Sequence, residues 1–259
     1  MPMTDLTICI VTYKNERTLA RALQALFDYA PPSVAMRIYV VDNASSAYTR
    51  EQIAPFLDRI TYIPSDKGNI GFGSANNLII PELDSRYHII MNPDVYLMDD
   101  TSILTLMQYL DEHSDVGMVV PGIVDEQGTV QYLCRRNLTV LDLFLRFSPV
   151  KLGTNRQDYH TMMDKDYATS FDVEFASGCF MMIRTDLYKQ LSGFDERFFL
   201  YAEDADLTRR VNENARTVYV PQATVCHAWE RASYRDPAMT RIHLRSLWHY
   251  FRKWGFHFK

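Results

Sequence analysis

The chain has 259 residues, 47% of them hydrophobic, which is enough to bury a sizeable core in one α/β domain with an appendage. Its formal net charge of −5 argues against a general polyanion-binding surface, and the confinement of basic character to the C-terminal segment excludes nucleic acid as a partner. The N-terminal residues do not form a secretory signal, and no apolar run approaches the roughly 18 residues of a membrane span. Four scattered cysteines without a C-x-x-C pair are typical of core thiols in a reducing compartment, so we expect a cytoplasmic protein, soluble or peripheral.

The N-terminal half alternates predicted strands and helices. Continuous apolar runs predict buried strands at residues 6–13, 36–42 and 87–91, and further strands are predicted at 60–63 and 116–121. Helical spacing predicts helices at residues 16–29, 49–57 and 102–112, the first capped by Asn15. This alternation predicts an open α/β structure with a mostly parallel, Rossmann-like central sheet and helices on both faces.

The C-terminal half is less regular. Residues 131–167 show no clear periodicity and predict a mobile or partly helical insertion that faces a partner or acceptor. Strands are predicted within 178–183, 217–220 and 223–228, and a helix at 185–191. We expect one domain over residues 1–236, with halves of about 1–121 and 122–236, followed by a helical appendage at 237–259.

The appendage has the composition of a membrane-surface anchor. It contains no acidic residue, and it interleaves five arginines and lysines with tryptophan, tyrosine and phenylalanine. A helix that packs on the core and exposes a basic face is the alternative.

Two polar segments follow predicted strands. Residues 65–77 contain three glycines and open a short helix, which suits either an ordinary turn or close approach to a phosphate. Asn92, Pro93 and Asp94 end the strand at 87–91, where an aspartate is well placed for a hard cation or a phosphate. Asp99 and Asp100 are more simply the cap of the next helix.

A carboxylate cluster lies between residues 194 and 210. Bulky apolar residues lead into Glu203, Asp204 and Asp206 at the start of a predicted helix. Acidic residues favour a helix N-terminus for electrostatic reasons alone. A carboxylate held against apolar walls also acquires a raised pKa, which suits a general base.

Several motifs occur in a specific order over residues 6–230. They are Val11-Thr12-Tyr13, Val41-Asp42-Asn43-Ala44-Ser45-Ser46, Asn69-Ile70-Gly71-Phe72-Gly73 with Asn76 and Asn77, Asn92-Pro93-Asp94, Ser177-Gly178-Cys179-Phe180, Gly193-Phe194-Asp195-Glu196, Tyr201-Ala202-Glu203-Asp204-Ala205-Asp206 and His227. This set resembles the inverting family 2 glycosyltransferases with the GT-A fold, particularly the bacterial rhamnosyltransferase-like members.

The resemblance implies roles for individual residues. It implies a catalytic base at Asp204, with Glu203 as the alternative base or an acceptor ligand. It implies a Mn²⁺ or Mg²⁺ site at Asp94 and His227, although N-P-D is one carboxylate short of the family's D-x-D motif. It places the donor against Thr12, Tyr13, Asp42, Asn43, Lys67, Gly68, Gly71, Phe72, Asn76, Asn92 and Asp94.

The resemblance also implies substrates. The donor is expected to be dTDP-L-rhamnose, and the acceptor a saccharide carried on a polyprenyl diphosphate at the inner face of the cell membrane. The function implied is the synthesis of a cell-surface polysaccharide. A UDP-hexose or UDP-N-acetylhexosamine donor remains open, as does a non-catalytic protein that binds sugar nucleotides; a dehydrogenase is a weaker alternative.

Overall fold

A computed structural model describes residues 4–147, 154–228 and 237–258. Over these residues the strands are β1 (Leu6–Thr12), β2 (Met36–Asp42), β3 (Thr61–Pro64), β4 (Tyr87–Met91), β5 (Val95–Leu97), β6 (Val116–Val124), β7 (Cys134–Arg135), β8 (Phe171–Asp172), β9 (Phe175–Ala176), β10 (Phe180–Arg184) and β11 (Arg216–His227). The helices are α1 (Glu16–Tyr29), α2 (Ala47–Gln52), α3 (Phe72–Asn77), α4 (Ser102–Glu112), α5 (Val140–Phe147), α6 (Thr154–His160), α7 (Thr185–Gln190), α8 (Glu203–Asn212) and α9 (Pro237–Trp254), with 3₁₀ turns at Ala54–Phe56 and Ile80–Glu82.

The N-terminal half of the large sheet is parallel, as predicted. β3, β2, β1 and β4 lie side by side in that order, and each neighbouring pair runs parallel. All seven residues of β1 are buried, which explains why its sequence is a continuous apolar run. The carboxyl ends of these strands meet along one edge of the sheet, where open α/β folds bind their ligands.

Beyond β4 the sheet is mixed. β10 lies antiparallel between β4 and β6, whereas β11 runs parallel to β6. The short strands β5 and β8 pair antiparallel with β11. The two strands predicted at 217–220 and 223–228 form the single strand β11, with a register shift between Val220 and Thr224. Hydrophobic periodicity predicts a strand but not its direction, which explains the difference from a mostly parallel sheet.

Helices cover both faces of the sheet, as predicted. Ile8 and Ile10 of β1 pack in one cluster with α1 and α4, whereas Cys9 and Val11 pack in a second cluster with α3, α7 and α8. Successive side chains of a strand point to opposite faces, so one strand contributes to both clusters. The four cysteines are buried free thiols, as expected for core residues.

The aperiodic segment at residues 131–167 contains β7, α5 and α6, which confirms a partly helical insertion. β7 pairs with β9 as a two-stranded ribbon outside the large sheet. The buried Asp142 of α5 binds Arg156 of α6, with 2.7 Å between Oδ1 and Nε. Residues 148–153 of this segment lie outside the described part of the chain.

Helix α9 packs its inner face against the protein. Its Leu247, Tyr250 and Phe251 side chains are buried in one cluster with Phe198, which precedes α8, and with Ala205, which belongs to α8. The packing of α9 is therefore that of the alternative prediction, a helix that packs on the core and exposes a basic face. No helix of the described residues is long and apolar enough to cross a membrane.

Candidate active site

Two adjoining cavities lie beside the residues that follow β1, β2 and β4. The strand-end cavity has a volume of about 320 Å³, and its lining includes Tyr13, Asn15, Asn43, Asn69, Gly71 and Phe199. The carboxylate cavity has a volume of about 330 Å³, and its lining includes Arg135, Gly178, Tyr201, Glu203, Asp204 and His227. Both cavities are lined by Phe72, Asn92, Asp94 and Leu200, so one extended ligand can contact both.

The glycine-rich loop reaches the strand-end cavity at Gly71 and Phe72. Gly71 has a φ of +90°, and a Cβ there would lie 2.3 Å from the carbonyl oxygen of Phe199. The Phe72 backbone N–H donates to that carbonyl at 3.0 Å, and Asn43 Nδ2 donates to the Gly71 carbonyl at 3.1 Å. Glycine is required here because the loop passes so close to the Phe199 segment.

Five residues predicted to bind the donor are not among those that line either cavity: Thr12, Asp42, Lys67, Gly68 and Asn76. Asp42 is fully buried, and its carboxylate accepts hydrogen bonds from the backbone N–H groups of Ala44 and Ser46 and from the Tyr62 hydroxyl. These bonds hold the turn after β2. Contact of Asp42 with a nucleotide base stays a prediction.

Asp94 and His227 approach each other at the boundary of the two cavities. Asp94 follows β4, and His227 ends β11, where it pairs with Val95 of β5. Their Oδ2 and Nε2 atoms are 3.4 Å apart, and both residues are mostly buried. The structure therefore brings together two residues that are 133 positions apart in the sequence.

The orientation of His227 follows from Gln131. The Gln131 Nε2 donates to the His227 carbonyl oxygen at 2.8 Å, which turns the amide oxygen towards the imidazole Nδ1, 3.1 Å away. The amide oxygen can only accept, so Nδ1 donates this hydrogen bond, and Nε2 is the ring nitrogen that faces the Asp94 carboxylate.

These donor atoms fit a divalent cation. Asp94 Oδ1 is buried without a hydrogen-bond partner among the described residues, and carboxylate oxygens and imidazole nitrogens are both ligands of divalent metal ions. Within the described ranges no group of three or more His, Cys, Asp or Glu side chains forms a metal cluster. Any cation here would therefore need further oxygen ligands from a substrate and water.

Glu203 and Asp204 open helix α8 on the wall of the carboxylate cavity. Asp204 is partly exposed to the cavity, and it accepts hydrogen bonds from the backbone N–H groups of Gly178, 3.1 Å from Oδ2, and of Ala205, 2.9 Å from Oδ1. Glu203 is only 5% exposed, and its Oε2 atom has no hydrogen-bond partner among the described residues.

The two carboxyl groups are electrostatically distinct. Burial raises the pKa of Glu203 well above its usual value, and the charge of Asp204 raises it further. Burial also raises the pKa of Asp204, although the Gly178 N–H and the charge of Arg135 oppose that rise. These effects favour a neutral Glu203 beside an ionised Asp204, which leaves one partly exposed base in the cavity.

The backbone before these carboxylates adopts an unusual conformation. Tyr201 and Ala202 both have left-handed φ values, of 71° and 63°. Two such residues in a row cost on the order of 1–3 kcal/mol each. Helix α9 supports them: Ser246 Oγ donates to the Leu200 carbonyl at 2.7 Å, and the His243 ring lies 4.6 Å from the Tyr201 ring.

Other residues of the site were not predicted from the sequence. Arg135 lies in the aperiodic segment, where only the adjacent pair of arginines gave a signal. Asn15 was predicted to cap α1, but its side chain makes no capping hydrogen bond and instead lines the strand-end cavity. Asp206 binds Arg210 of the same helix, with 2.8 Å between Oδ2 and Nε.

A family model for "Glycosyl transferase family 2" matches residues 7–192. The chain belongs to this family. It is therefore a glycosyltransferase, and the two cavities lie in a family 2 enzyme of the GT-A fold.

Curated relatives include two that align over nearly the whole chain. An N-acetylglucosaminyl-diphospho-decaprenol L-rhamnosyltransferase of Mycobacterium tuberculosis is 28% identical over 91% of this family 2 chain and 80% of its own length. The rhamnosyltransferase WbbL of Escherichia coli is 27% identical over 94% of this chain and 91% of its own length.

Solved structures share the fold. A mannosyltransferase of Pyrobaculum calidifontis, solved with GDP-Man and Mn²⁺, superposes with a TM-score of 0.68 at 14% identity. The match covers 97% of this family 2 chain and 65% of that chain. At this identity the likeness supports the GT-A fold alone.

Proposed function

We propose that this glycosyltransferase transfers L-rhamnose from dTDP-L-rhamnose, with inversion, to a saccharide carried on a polyprenyl diphosphate during synthesis of a cell-surface polysaccharide. The observation that carries the proposal is the wall that the two cavities share, because one extended ligand can reach both the Asp94–His227 pair and the Asp204 carboxylate. Two relatives named as rhamnosyltransferases support the sugar, and the decaprenol-linked substrate in the name of one supports the acceptor class.

Asp204 is the proposed base. An acceptor hydroxyl oxygen attacks the anomeric carbon as its proton passes to the Asp204 carboxylate, and the bond from that carbon to the nucleoside diphosphate breaks on the opposite side. A base must be ionised to act. Because burial raises the pKa of Asp204, kcat/KM should fall on the acid side at a higher pH than an ordinary aspartate would give. A profile that stays flat down to about pH 4 contradicts this assignment.

Asp94 and His227 are the residues that would hold a Mn²⁺ or Mg²⁺ ion. When bound, the ion supplies positive charge that stabilises the leaving diphosphate. Titration of Mn²⁺ with the protein and a nucleoside diphosphate, followed by electron paramagnetic resonance, tests this without turnover. We expect Asp94→Asn to weaken Mn²⁺ binding about tenfold or more, and unchanged binding contradicts the site.

The donor is tested by transfer assays with a panel of sugar nucleotides. A UDP-linked N-acetylhexosamine is the second candidate, because the N-acetylglucosaminyltransferase TarS of Staphylococcus aureus, which has been solved with UDP-GlcNAc, is 21% identical over 84% of this chain and 38% of its own length. We expect turnover with dTDP-L-rhamnose and an inverted anomeric configuration in the product. Turnover with a UDP-sugar alone overturns the rhamnose proposal, and a retained configuration overturns the single-displacement mechanism.

The outer face of α9 is the proposed contact with the cytoplasmic face of the cell membrane. Its exposed side chains include Arg241, Leu244, Arg245, Trp248 and Arg252, and the exposed Phe256 follows the end of the helix. Each basic residue near an anionic surface contributes about 1 kcal/mol of attraction, and exposed Trp and Leu side chains insert between headgroups.

Vesicle sedimentation tests this contact. We expect binding to phosphatidylglycerol-containing vesicles, little binding to neutral phosphatidylcholine vesicles, and loss of binding in the double variant Leu244→Ser with Trp248→Ser. Both side chains are more than half exposed, so the packed face of α9 is left intact. If the wild type does not bind vesicles but forms a dimer, and the double variant does not form that dimer, the outer face of α9 binds a second copy of the chain instead.

A further inference from the structure

The two cavities differ in charge. Among the described residues that line them, Arg135 is the only lysine or arginine. It lies in the carboxylate cavity, the side that holds Glu203 and Asp204. The strand-end cavity contains the Asp94 carboxylate and has no basic side chain in its described lining. The lining of the carboxylate cavity therefore includes a positive charge that the described lining of the strand-end cavity lacks.

The β7–β9 ribbon fixes Arg135 in this place. Arg135 pairs with Phe175 across the ribbon, and its guanidinium lies 5.4 Å from the centre of the buried Phe175 ring. Strand β9 is followed, one residue later, by Gly178, whose N–H donates to the Asp204 carboxylate at 3.1 Å. The same ribbon therefore positions both the arginine and the proposed base.

The neighbouring Arg136 is used differently. Its guanidinium forms two parallel hydrogen bonds of 2.7 Å to the Asp164 carboxylate, and it is not part of the described lining of either cavity. Two adjacent arginines thus have separate roles, one within the insertion and one at the site. This difference makes Arg136 a matched control for Arg135.

An acceptor carried on a diphosphate brings a second strong anion into the site. The cation at Asp94 and His227 would serve the donor diphosphate. The acceptor diphosphate would instead enter a cavity that already contains an ionised carboxylate, and like charges there repel each other. A guanidinium offsets that repulsion and binds phosphate oxygens through two parallel hydrogen bonds.

We propose that Arg135 binds the diphosphate of the acceptor and thereby selects a diphosphate-linked saccharide over the same sugar on a neutral aglycone. This inference rests on the proposed acceptor class. Arg135 acts on binding, so its loss should raise the acceptor KM far more than it lowers kcat.

The experiment compares two acceptors that carry the same sugar. One is a short-chain prenyl diphosphate N-acetylglucosamine and the other is an octyl N-acetylglucosaminide, which lacks the diphosphate. We expect Arg135→Gln to raise the KM of the diphosphate acceptor about tenfold or more and to change that of the octyl glycoside less than about twofold. Arg135→Lys should recover part of the loss, and Arg136→Gln should leave the ratio of the two KM values unchanged.

A calorimetric titration of the diphosphate acceptor without donor gives a readout that needs no turnover. Wild-type protein should bind it about tenfold or more tightly than Arg135→Gln does. Equal losses with both acceptors would show that Arg135 acts on the reacting centre, and a raised donor KM would assign it to the donor diphosphate; either result overturns the proposal. Absence of binding to wild type also overturns it, whereas binding without sugar transfer would count against the proposed function alone.

Discussion

Asparagine in place of Asp206 is expected to destabilise the protein strongly. The Asp206 carboxylate has no exposed surface. Its Oδ1 accepts from Lys253 Nζ at 2.7 Å and from Trp254 Nε1 at 2.8 Å, and its Oδ2 accepts from Arg210 Nε at 2.8 Å. An asparagine amide has one oxygen and one NH₂ group, so it cannot accept all three bonds and must leave a cation without its anion.

The structure gives the size of the effect. Removing one partner of a buried ion pair costs about 3–5 kcal/mol, because a charge is left unpaired away from water. Asp115→Asn is the matched control, since Asp115 binds Arg216 at 2.8 Å but its side chain is 60% exposed. An exposed pair of this kind contributes about 0–1 kcal/mol.

Urea unfolding near pH 7 measures both variants, at low and at high salt. The Asp206→Asn loss should persist in salt, whereas the small Asp115→Asn loss should shrink, because salt screens exposed charges more than buried ones. If Asp206→Asn loses no more free energy of unfolding than Asp115→Asn, α9 is not anchored to α8 in the way described.

Three further predictions concern the core and the site. Burial lowers the pKa of His88 from 6.5 to about 4. Between these pH values the unfolded chain binds a proton at His88 and the folded protein does not, so the free energy of unfolding should fall by about 3 kcal/mol as the pH drops from 6.5 to 4. Urea unfolding of His88→Gln should lack that slope, and an unchanged slope contradicts it. Burial and a neighbouring carboxylate raise the pKa of Glu203 above 4.5, so the folded protein loses stability as the pH rises and the unfolded chain ionises at this residue. The melting temperature of Glu203→Gln should therefore rise relative to that of wild type between about pH 5 and pH 8. A difference in melting temperature that stays constant over this range argues against the raised pKa. The Cβ of Gly71→Ala would collide with the Phe199 carbonyl, so this variant should raise the donor KM about tenfold or more. Gly128→Ala is the control, because Gly128 also has a positive φ but a Cβ there would meet no atom within 4 Å, and its donor KM should not change. Equal donor KM values for the two variants would exclude a donor role for the glycine-rich loop.

Strong hydrophobic patterns made much of the fold predictable. The helix predicted at residues 16–29 and the strands at 36–42 and 87–91 have the observed boundaries, because each is a long periodic or continuous apolar run with clear ends. The direction of β10 and the joining of two predicted strands into β11 depend on tertiary pairing, which no local pattern encodes.

The site was less accessible to sequence reasoning. Acidic residues at a helix start and an aspartate after a strand gave local signals for Asp204 and Asp94. Arg135 comes from a short ribbon without periodicity, and its position depends on pairing with Phe175, 40 positions away. The pairing of Asp206 with α9 likewise joins distant parts of the chain.

The most direct test of the proposed mechanism compares Asp204→Asn with Glu203→Gln in single-turnover transfer assays. Asp204→Asn keeps the shape of the side chain but removes the base, so transfer should fall by about two orders of magnitude or more while donor affinity is retained. Glu203→Gln replaces a carboxyl group whose neutral form is already favoured, and it should keep transfer within about tenfold of wild type. Full activity in Asp204→Asn, or a greater loss in Glu203→Gln than in Asp204→Asn, would contradict the assignment of Asp204 as the base.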